Sequence, residues 1–177
     1  MLAEFGELPA NEADKVQKAL FTAVNNKKER IDVRCRALEA ISMLSKPQVE
    51  DMIRQAYQSD DLEFRASALC AMGRTCNSDW LSILLQELSS PYPQLRYEAA
   101  RACAELESGE AVPRLIELIS DGDAQVQLSA VEALGRIGGS EAKQALEECL
   151  DGADDAISEA AEETLDEMKF REDPFAI

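Results

Sequence analysis

Residues 126–135 read Val-Gln-Leu-Ser-Ala-Val-Glu-Ala-Leu-Gly, and the apolar pattern of this stretch returns along the chain at one fixed spacing. The equivalents of its first residue lie 31 residues apart at five places: Val33, Phe64, Leu95, Val126 and Ile157. A constant period of this length is typical of repeat proteins, in which every repeat buries its apolar face against its neighbours. The sequence therefore predicts a stacked repeat protein.

The spacing inside each copy is that of an α-helix. We number the positions of each copy from the apolar residue named above, which is position 0. Position 4 is alanine in all five copies, and positions 7 and 8 are small or apolar in nearly all of them. At about 100° per residue, positions 0, 4, 7 and 8 share one side of a helix, so we expect them to be buried. Alanine at two of these positions predicts closely approaching helices, because a larger side chain would force them apart.

Turn residues divide the chain into five helix pairs, each ending in a helix that carries the pattern. We predict a lead-in over residues 1–10, a single repeat domain over 11–170 and a tail over 171–177. The repeats within that domain are predicted at about 11–45, 46–76, 77–107, 108–138 and 139–170. Only the first repeat departs from the period, because its loop over residues 25–30 holds two extra residues.

Charge and composition exclude several classes of function. The formal net charge of −17 repels phosphate backbones and anionic lipids, so we expect no nucleic-acid and no membrane partner. The five cysteines form no Cys-x-x-Cys pair, the chain begins without a signal-peptide pattern, and no apolar run is long enough to cross a bilayer. These features predict a cytoplasmic protein with reduced thiols.

Catalytic chemistry has little support in the residue types. The chain has no histidine, which removes the commonest general base, the Ser-His and Cys-His dyads and histidine metal sites. The acidic turns at residues 121–123 and 151–155 lack the spacing of a calcium-binding EF-hand. We therefore predict that the protein is not an enzyme and has no metal site and no cofactor.

Residues 111–138 closely resemble the HEAT-repeat family, and in particular the short HEAT-like repeats of phycobilisome lyases. The resemblance implies an all-α fold, a right-handed α-α superhelix of the HEAT/armadillo type, whose second helices line the concave side. It also implies that an arginine after position 0 faces an aspartate of a turn. The arginines are Arg34, Arg65 and Arg96, replaced in the last two repeats by Gln127 and Ser158, and the turn aspartates are Asp61, Asp123 and Asp154.

If the second helices line the concave side, positions 2, 6 and 9 face away from the buried side. Position 9 holds Ser42, Gly73, Ala104, Gly135 and Asp166. The candidate protein-binding residues occupy positions 2 and 6, and they are Cys35, Glu39, Cys70, Tyr97, Arg101, Leu128, Glu132, Glu159 and Glu163. Tyrosine and arginine beside an exposed leucine are typical anchors of protein interfaces.

These observations favour a non-catalytic scaffold or adaptor whose partner is another protein with a basic or mixed apolar and basic surface. A bilin-lyase-like or other enzyme-associated HEAT-repeat subunit is the alternative that the resemblance suggests. The last repeat is strongly acidic, with eleven acidic residues and one basic residue between residues 141 and 168. It is either a solubilising cap or a docking site for a basic partner.

Overall fold

The computed structural model describes residues 10–44, 46–152 and 155–172, and within them the chain is helical with no β-strand. The described helices pair in chain order, the first helix of each repeat followed by its second. They are α1 (Ala10–Asn25), α2 (Ile31–Ile41), α3 (Pro47–Tyr57), α4 (Leu62–Arg74), α5 (Leu81–Glu87), α6 (Pro93–Glu105), α7 (Val112–Leu118), α8 (Ala124–Ile137), α9 (Ser140–Leu150) and α10 (Asp155–Glu172). Short 3-10 turns, Ser78–Trp80 and Gly109–Ala111, lead directly into α5 and α7. The predicted all-α fold with five helix pairs is confirmed.

The predicted ends need small corrections. Helix α1 already includes Ala10, and α10 continues through Glu172, two residues into the predicted tail. The remaining residues of the predicted lead-in and tail, 1–9 and 173–177, lie outside the described residues. Among the described helices, none is both long and apolar enough to cross a membrane.

The chain divides into two compact units, an N-terminal unit (Met1–Thr75) and a C-terminal unit (Cys76–Ile177). In the N-terminal unit α1 packs on α2, α3 packs on α4, and the second helices α2 and α4 stack on each other. In the C-terminal unit α5 packs on α6, α7 on α8 and α9 on α10, while α8 stacks on both α6 and α10. Stacking of successive second helices is the arrangement of an α-α solenoid. The single domain expected over residues 11–170 stays a prediction.

Side chains of the turns set where the second helices begin. Asp61 caps α4 by accepting a hydrogen bond from the backbone N–H of Phe64 at 3.0 Å. Asp123 caps α8 in the same way, through the N–H groups of Gln125 at 2.9 Å and Val126 at 3.2 Å. Such caps satisfy donors that the first turn of a helix leaves without a partner. Two of the turn aspartates that the resemblance placed opposite the arginines, Asp61 and Asp123, therefore serve as helix caps, and the third, Asp154, lies outside the described residues.

The core follows the repeat closely at two positions. All five residues at position 4 and all five at position 8 are at most 5% exposed. Position 0 is buried in the last four copies, but Val33 is 38% exposed, so its expected burial is wrong. Val33 belongs to α2, which stacks on one second helix, α4, within the described residues, whereas the central helix α8 is packed on both sides.

A second buried stripe runs along positions 5 and 9 of the second helices. Position 5 is fully buried in the first four copies, which hold Leu38, Leu69, Ala100 and Val131. Position 9 was expected to face solvent, and that prediction is wrong for the first four copies, which hold the buried residues Ser42, Gly73, Ala104 and Gly135. The cause is visible in α8, where a Cβ added at Gly135 would meet Thr164, so position 9 of α8 faces α10.

The last second helix departs from this second stripe. Position 5 of α10 is Glu162 and position 9 is Asp166, and both side chains are exposed. Charged residues therefore occupy, on α10, the positions that are buried in the first four second helices, and this side of α10 is exposed to solvent. Glu159 and Glu163 at positions 2 and 6 lie outside these stripes. The choice between a cap and a docking site stays open.

We predict that Gly135→Ala destabilises the C-terminal unit by about 1–3 kcal/mol, because the added Cβ would overlap the Thr164 methyl carbon Cγ2. Urea unfolding followed by circular dichroism measures the loss. Gly122→Ala is the control, since a Cβ there would meet nothing within 4 Å. Adding Thr164→Ser removes the obstructing methyl group and should restore the stability of the Gly135→Ala chain. Equal stability of Gly135→Ala and the parent chain would contradict the close packing of α8 on α10.

Candidate functional site

The N-terminal unit uses its predicted binding residues mainly for its own packing. Cys35 is 5% exposed, so its placement on an open surface is wrong, and burial raises the pKa of its thiol. Glu39 is half-buried and joins α2 to α4, because it accepts a hydrogen bond from Ser67 Oγ at 2.7 Å and pairs with Arg74 Nη1 at 3.5 Å. Cys70 is half-buried. These three residues do not form an exposed surface.

The C-terminal unit presents the other predicted residues at equivalent positions of three stacked helices. Tyr97 and Arg101 lie on α6, and the Arg101 guanidinium carbon is 5.6 Å from the centre of the Tyr97 ring. Leu128 on α8 is half-buried like Tyr97. The surface therefore begins with an aromatic, a cationic and an aliphatic side chain, which are the types that anchor interfaces.

The same surface ends in three carboxylates, and we call Glu132, Glu159 and Glu163 the acidic triad. All three side chains are exposed. Within the part of the chain that the structure describes, none of them makes a hydrogen bond or an ion pair. Their charges are therefore available to a partner.

A groove of about 1110 Å³ lies between α8 and α10 and includes two members of the triad. Its wall also holds Phe170, a side chain that is 67% exposed. The two arginines of this groove already have partners: Arg136 forms a forked pair with Glu105 at 2.8 and 3.0 Å, and Arg171 donates to the backbone carbonyls of Gly135 and Arg136. The groove is therefore acidic with one exposed aromatic ring.

The sequence analysis did not identify this groove because it ended the last repeat at residue 170, whereas α10 continues through Glu172 and places Arg171 in the wall of the groove. In the preceding copy Gly138 and Gly139 adopt positive φ angles of 74° and 91° and end α8. The equivalent residues of the last copy are Lys169 and Phe170, which continue the helix. Glycine favours such backbone angles and other residues do not, so the replacement was a readable signal.

A buried ion pair marks the position where the repeat arginine meets a turn. Arg96 donates from Nε to Asp121 Oδ2 and from Nη2 to Asp121 Oδ1, both at 2.7 Å, and from Nη1 to the carbonyl of Ser90 at 2.8 Å. The side chains are 16% and 7% exposed. Hydrogen bonding to Arg96 lowers the pKa of Asp121, and the same bond raises the pKa of Arg96. The arginine thus faces Asp121, two residues before the aspartate named by the resemblance.

The equivalent arginine of the N-terminal unit has a different environment. Arg34 donates from Nε to the carbonyl of Val24 at 3.0 Å, and its guanidinium carbon lies 4.3 Å from the centre of the Phe64 ring. The residue equivalent to Asp121 is Ser59, whose Oγ accepts a hydrogen bond from the N–H of Asp61 at 3.2 Å. Asp121 Oδ1 makes the same bond to the N–H of Asp123 at 2.9 Å. Ser59 therefore accepts the same hydrogen bond within the turn as Asp121 does, but it offers no carboxylate to the arginine.

Comparison with known proteins identifies the repeat. The family described as HEAT repeats matches residues 81–166. These residues belong to the HEAT-repeat family. The predicted recognition is confirmed over this range, which includes the Arg96–Asp121 pair and the acidic triad.

Solved structures similar to these HEAT repeats share their fold at low sequence identity. An engineered protein is 23% identical, with 95% of this chain and 87% of that chain covered and a TM-score of 0.59. The complex of CpcE and CpcF of phycocyanin lyase from Nostoc sp. PCC7120 is 19% identical, with 89% and 66% covered and a TM-score of 0.68. The Pds5–Scc1 complex is 13% identical, with 92% and 30% covered and a TM-score of 0.62. No curated protein matches the chain in sequence.

We predict that Asp121→Asn costs about 2 kcal/mol of unfolding free energy at pH 7, because it leaves the Arg96 guanidinium in a mostly buried site without a charged partner. The pKa of Asp121 is lower in the folded chain than its ordinary value of 3.8. The pair therefore stabilises fully above pH 3.8 and loses its contribution as the pH falls through the folded pKa. Urea unfolding at pH 7 and pH 3 should show the difference between variant and parent shrinking with acidity.

The matched control is Glu105→Gln, which removes the more exposed pair with Arg136, whose side chains are 38% and 46% exposed. Exposed pairs contribute little, so this variant should cost about 0.5 kcal/mol or less. An Asp121→Asn penalty that equals the control, or that is the same at both pH values, would contradict the assigned pair.

Proposed function

We propose that this HEAT-repeat chain is a non-catalytic scaffold or adaptor that binds another protein. We place the binding surface in the C-terminal unit, on the side of α6, α8 and α10 that the resemblance assigns to the concave face. The observation that carries this proposal is the acidic triad, which is exposed and without an internal partner beside the half-buried Tyr97 and Leu128. Stacked helices form an extended surface whose exposed residues can vary while the buried residues stay the same.

In the C-terminal unit the positions involved lie outside the buried stripes of the second helices. Positions 4 and 8 pack each repeat, and positions 5 and 9 stack successive second helices. Positions 2 and 6 change from tyrosine and arginine on α6 to leucine and glutamate on α8 and to two glutamates on α10. This change in side chains along one face favours a partner that carries apolar groups at one end and positive charge at the other.

The two ends of the surface contribute in different ways. Tyr97 and Leu128 offer apolar area, and burial of such area at the centre of an interface supplies much of its affinity. The triad attracts lysine and arginine side chains, which raises the association rate and makes binding weaken with added salt. We therefore propose a partner with a mixed apolar and basic surface.

We propose a non-catalytic role because the chain contains no histidine and no motif that pairs a nucleophile with a base. The net charge of −17 weighs against a nucleic-acid partner. The cytoplasmic location stays a prediction. The CpcE–CpcF and Pds5–Scc1 structures are complexes of HEAT-like chains with other proteins, which supports a protein partner in general terms.

A bilin-lyase-like subunit is the second candidate, and the similarity to the phycocyanin lyase complex favours it. The two functions differ in a simple observation. A lyase subunit binds a tetrapyrrole, so mixing the purified chain with a bilin should produce a saturable change in visible absorbance. An adaptor should leave the bilin spectrum unchanged.

The adaptor proposal predicts that Glu159→Lys together with Glu163→Lys weakens capture of the native partner by roughly tenfold or more at physiological salt. Affinity purification from the source organism, with quantitation of the co-purified protein against the parent chain, measures the change. Glu141→Lys together with Glu147→Lys is the matched control, because it changes the net charge equally at exposed positions of α9. Equal loss in both double variants would mean that net charge alone matters, and retention in both would exclude the triad as the binding surface.

A further inference from the structure

We infer that the N-terminal unit contains a carboxylate-binding pocket centred on Arg34, in which a carboxylate from outside the chain takes the place that Asp121 holds beside Arg96. This pocket belongs to the N-terminal unit and the proposed protein-binding surface to the C-terminal unit, and the existence of the pocket does not rest on that proposed function. Its basis is a substitution inside the repeat, a cavity of suitable size and an arginine that is already oriented.

The cavity has a volume of about 530 Å³ and lies where the turn ends of α1 to α4 meet. Polar side chains dominate its wall, and those that matter for binding are Lys27, Arg34, Gln55, Gln58, Ser59 and Asp60. Two of these are cations and one is an anion, so the wall carries a net positive charge in a chain whose net charge is −17. A local excess of positive charge of this size suits one carboxylate better than a polyanion.

The C-terminal unit supplies the template for what the pocket would hold. There Arg96 binds the Asp121 carboxylate through two parallel hydrogen bonds of 2.7 Å, the forked geometry in which a guanidinium matches a carboxylate. Ser59 replaces that aspartate in the N-terminal unit and keeps its hydrogen bond to the turn backbone. The turn is therefore preserved while the carboxylate is lost.

Two contacts within the N-terminal unit already orient the Arg34 side chain. Its Nε donates to the Val24 carbonyl, and the Phe64 ring packs 4.3 Å from the guanidinium carbon. Within the described residues, its two Nη groups make no hydrogen bond and no ion pair, so four N–H donors remain available. Because contacts on two sides already restrict the side chain, binding loses little conformational entropy.

The two-residue insertion of the first repeat supplies the second cation. Lys27 lies in the loop between α1 and α2, and this loop is closed by a hydrogen bond from the N–H of Glu29 to the carbonyl of Asn26 at 2.9 Å. The opposing group is Asp60, which is exposed and forms no ion pair with Arg34. The N-terminal unit thus replaces a neutral arginine–aspartate pair with a site that has gained a lysine and whose one carboxylate, Asp60, is not paired with the arginine.

A single carboxylate has two sources. One is an aspartate or glutamate side chain of another protein, by analogy with the turn aspartate that fills the equivalent site. The other is a small carboxylic acid. Both present the same pair of oxygens to Arg34, and the two arms of the experiment separate them.

The test follows the side-chain Nε–H signals of arginine in the ¹⁵N-labelled full chain by nuclear magnetic resonance. One arm adds sodium propionate and the other adds the capped tripeptide acetyl-Gly-Asp-Gly-amide, so that each probe carries one carboxylate. Acetyl-Gly-Asn-Gly-amide and sodium chloride at matched ionic strength are the controls. We expect the Arg34 signal to shift saturably with at least one carboxylate, while the Arg96 signal stays in place because Asp121 already occupies its fork.

Ser59→Asp gives the decisive variant, since it builds into the N-terminal unit the carboxylate found beside Arg96. We expect it to move the Arg34 signal without any ligand and to weaken carboxylate binding by about tenfold or more. Arg34→Gln should abolish the response, and Ser59→Asp remains informative if that variant does not fold. Tighter binding of the aspartyl peptide would assign the site to a protein carboxylate, and tighter binding of propionate would assign it to a small acid.

Three results would overturn the inference. The first is an Arg34 signal that responds to neither carboxylate. The second is an equal response to chloride or to the asparagine peptide. The third is a Ser59→Asp chain that binds carboxylate as strongly as the parent chain.

Discussion

The close stacking of the second helices is the constraint on which the rest of the structure depends. Gly135 leaves no room for a Cβ beside Thr164, and alanine occupies position 4 of every copy in a fully or almost fully buried site. Helices of 11 to 18 residues are marginally stable by themselves, so their order comes from these neighbour contacts. Small residues at a few fixed positions therefore decide where every surface side chain of the array lies.

The candidate functional features lie where the residues of one copy differ from the repeat pattern. The complete pair of Arg96 and Asp121 stabilises the C-terminal unit, whereas Arg34 with Ser59 leaves a fork of donors open beside a cavity. At Gln127 the arginine itself is replaced, and the residue equivalent to Asp121 is Gly152. One position of the repeat thus serves stability in one copy and offers a binding site in another. Helix α10 is another such departure, because it has charged residues at positions that are buried in the other second helices.

The period of the sequence was enough to predict the helices, their pairing and the burial of positions 4 and 8. It failed at positions 5 and 9, because a helical wheel with one apolar stripe describes a helix that packs on one side. Helix α8 also contacts α6 and α10 along the stack, and a small residue such as Gly135, which faces Thr164 of α10, allows that contact without appearing hydrophobic.

The sequence predicted part of the candidate site, namely which of its residues are exposed, and it failed where burial or pairing depends on other helices. Exposure of Arg101 and the acidic triad followed from their positions, whereas burial of Cys35 depends on contacts that one helix does not reveal. The choice between Asp121 and Asp123 as the arginine's partner could not be made from spacing, because both aspartates accept hydrogen bonds within the same turn. Only the geometry separates the cap from the ion pair.

The most direct test of neighbour-by-neighbour stacking is removal of one whole repeat. Deletion of residues 109–139 removes 31 residues and joins Ser108 to Ser140, which keeps the register and lets α10 stack on α6. Thr164→Ser should accompany it, because Ala104 then takes the place of Gly135. Thermal unfolding followed by circular dichroism should show one cooperative transition for this deletion and none when only residues 109–123 are removed. Equal unfolding curves for the two deletions would contradict the account.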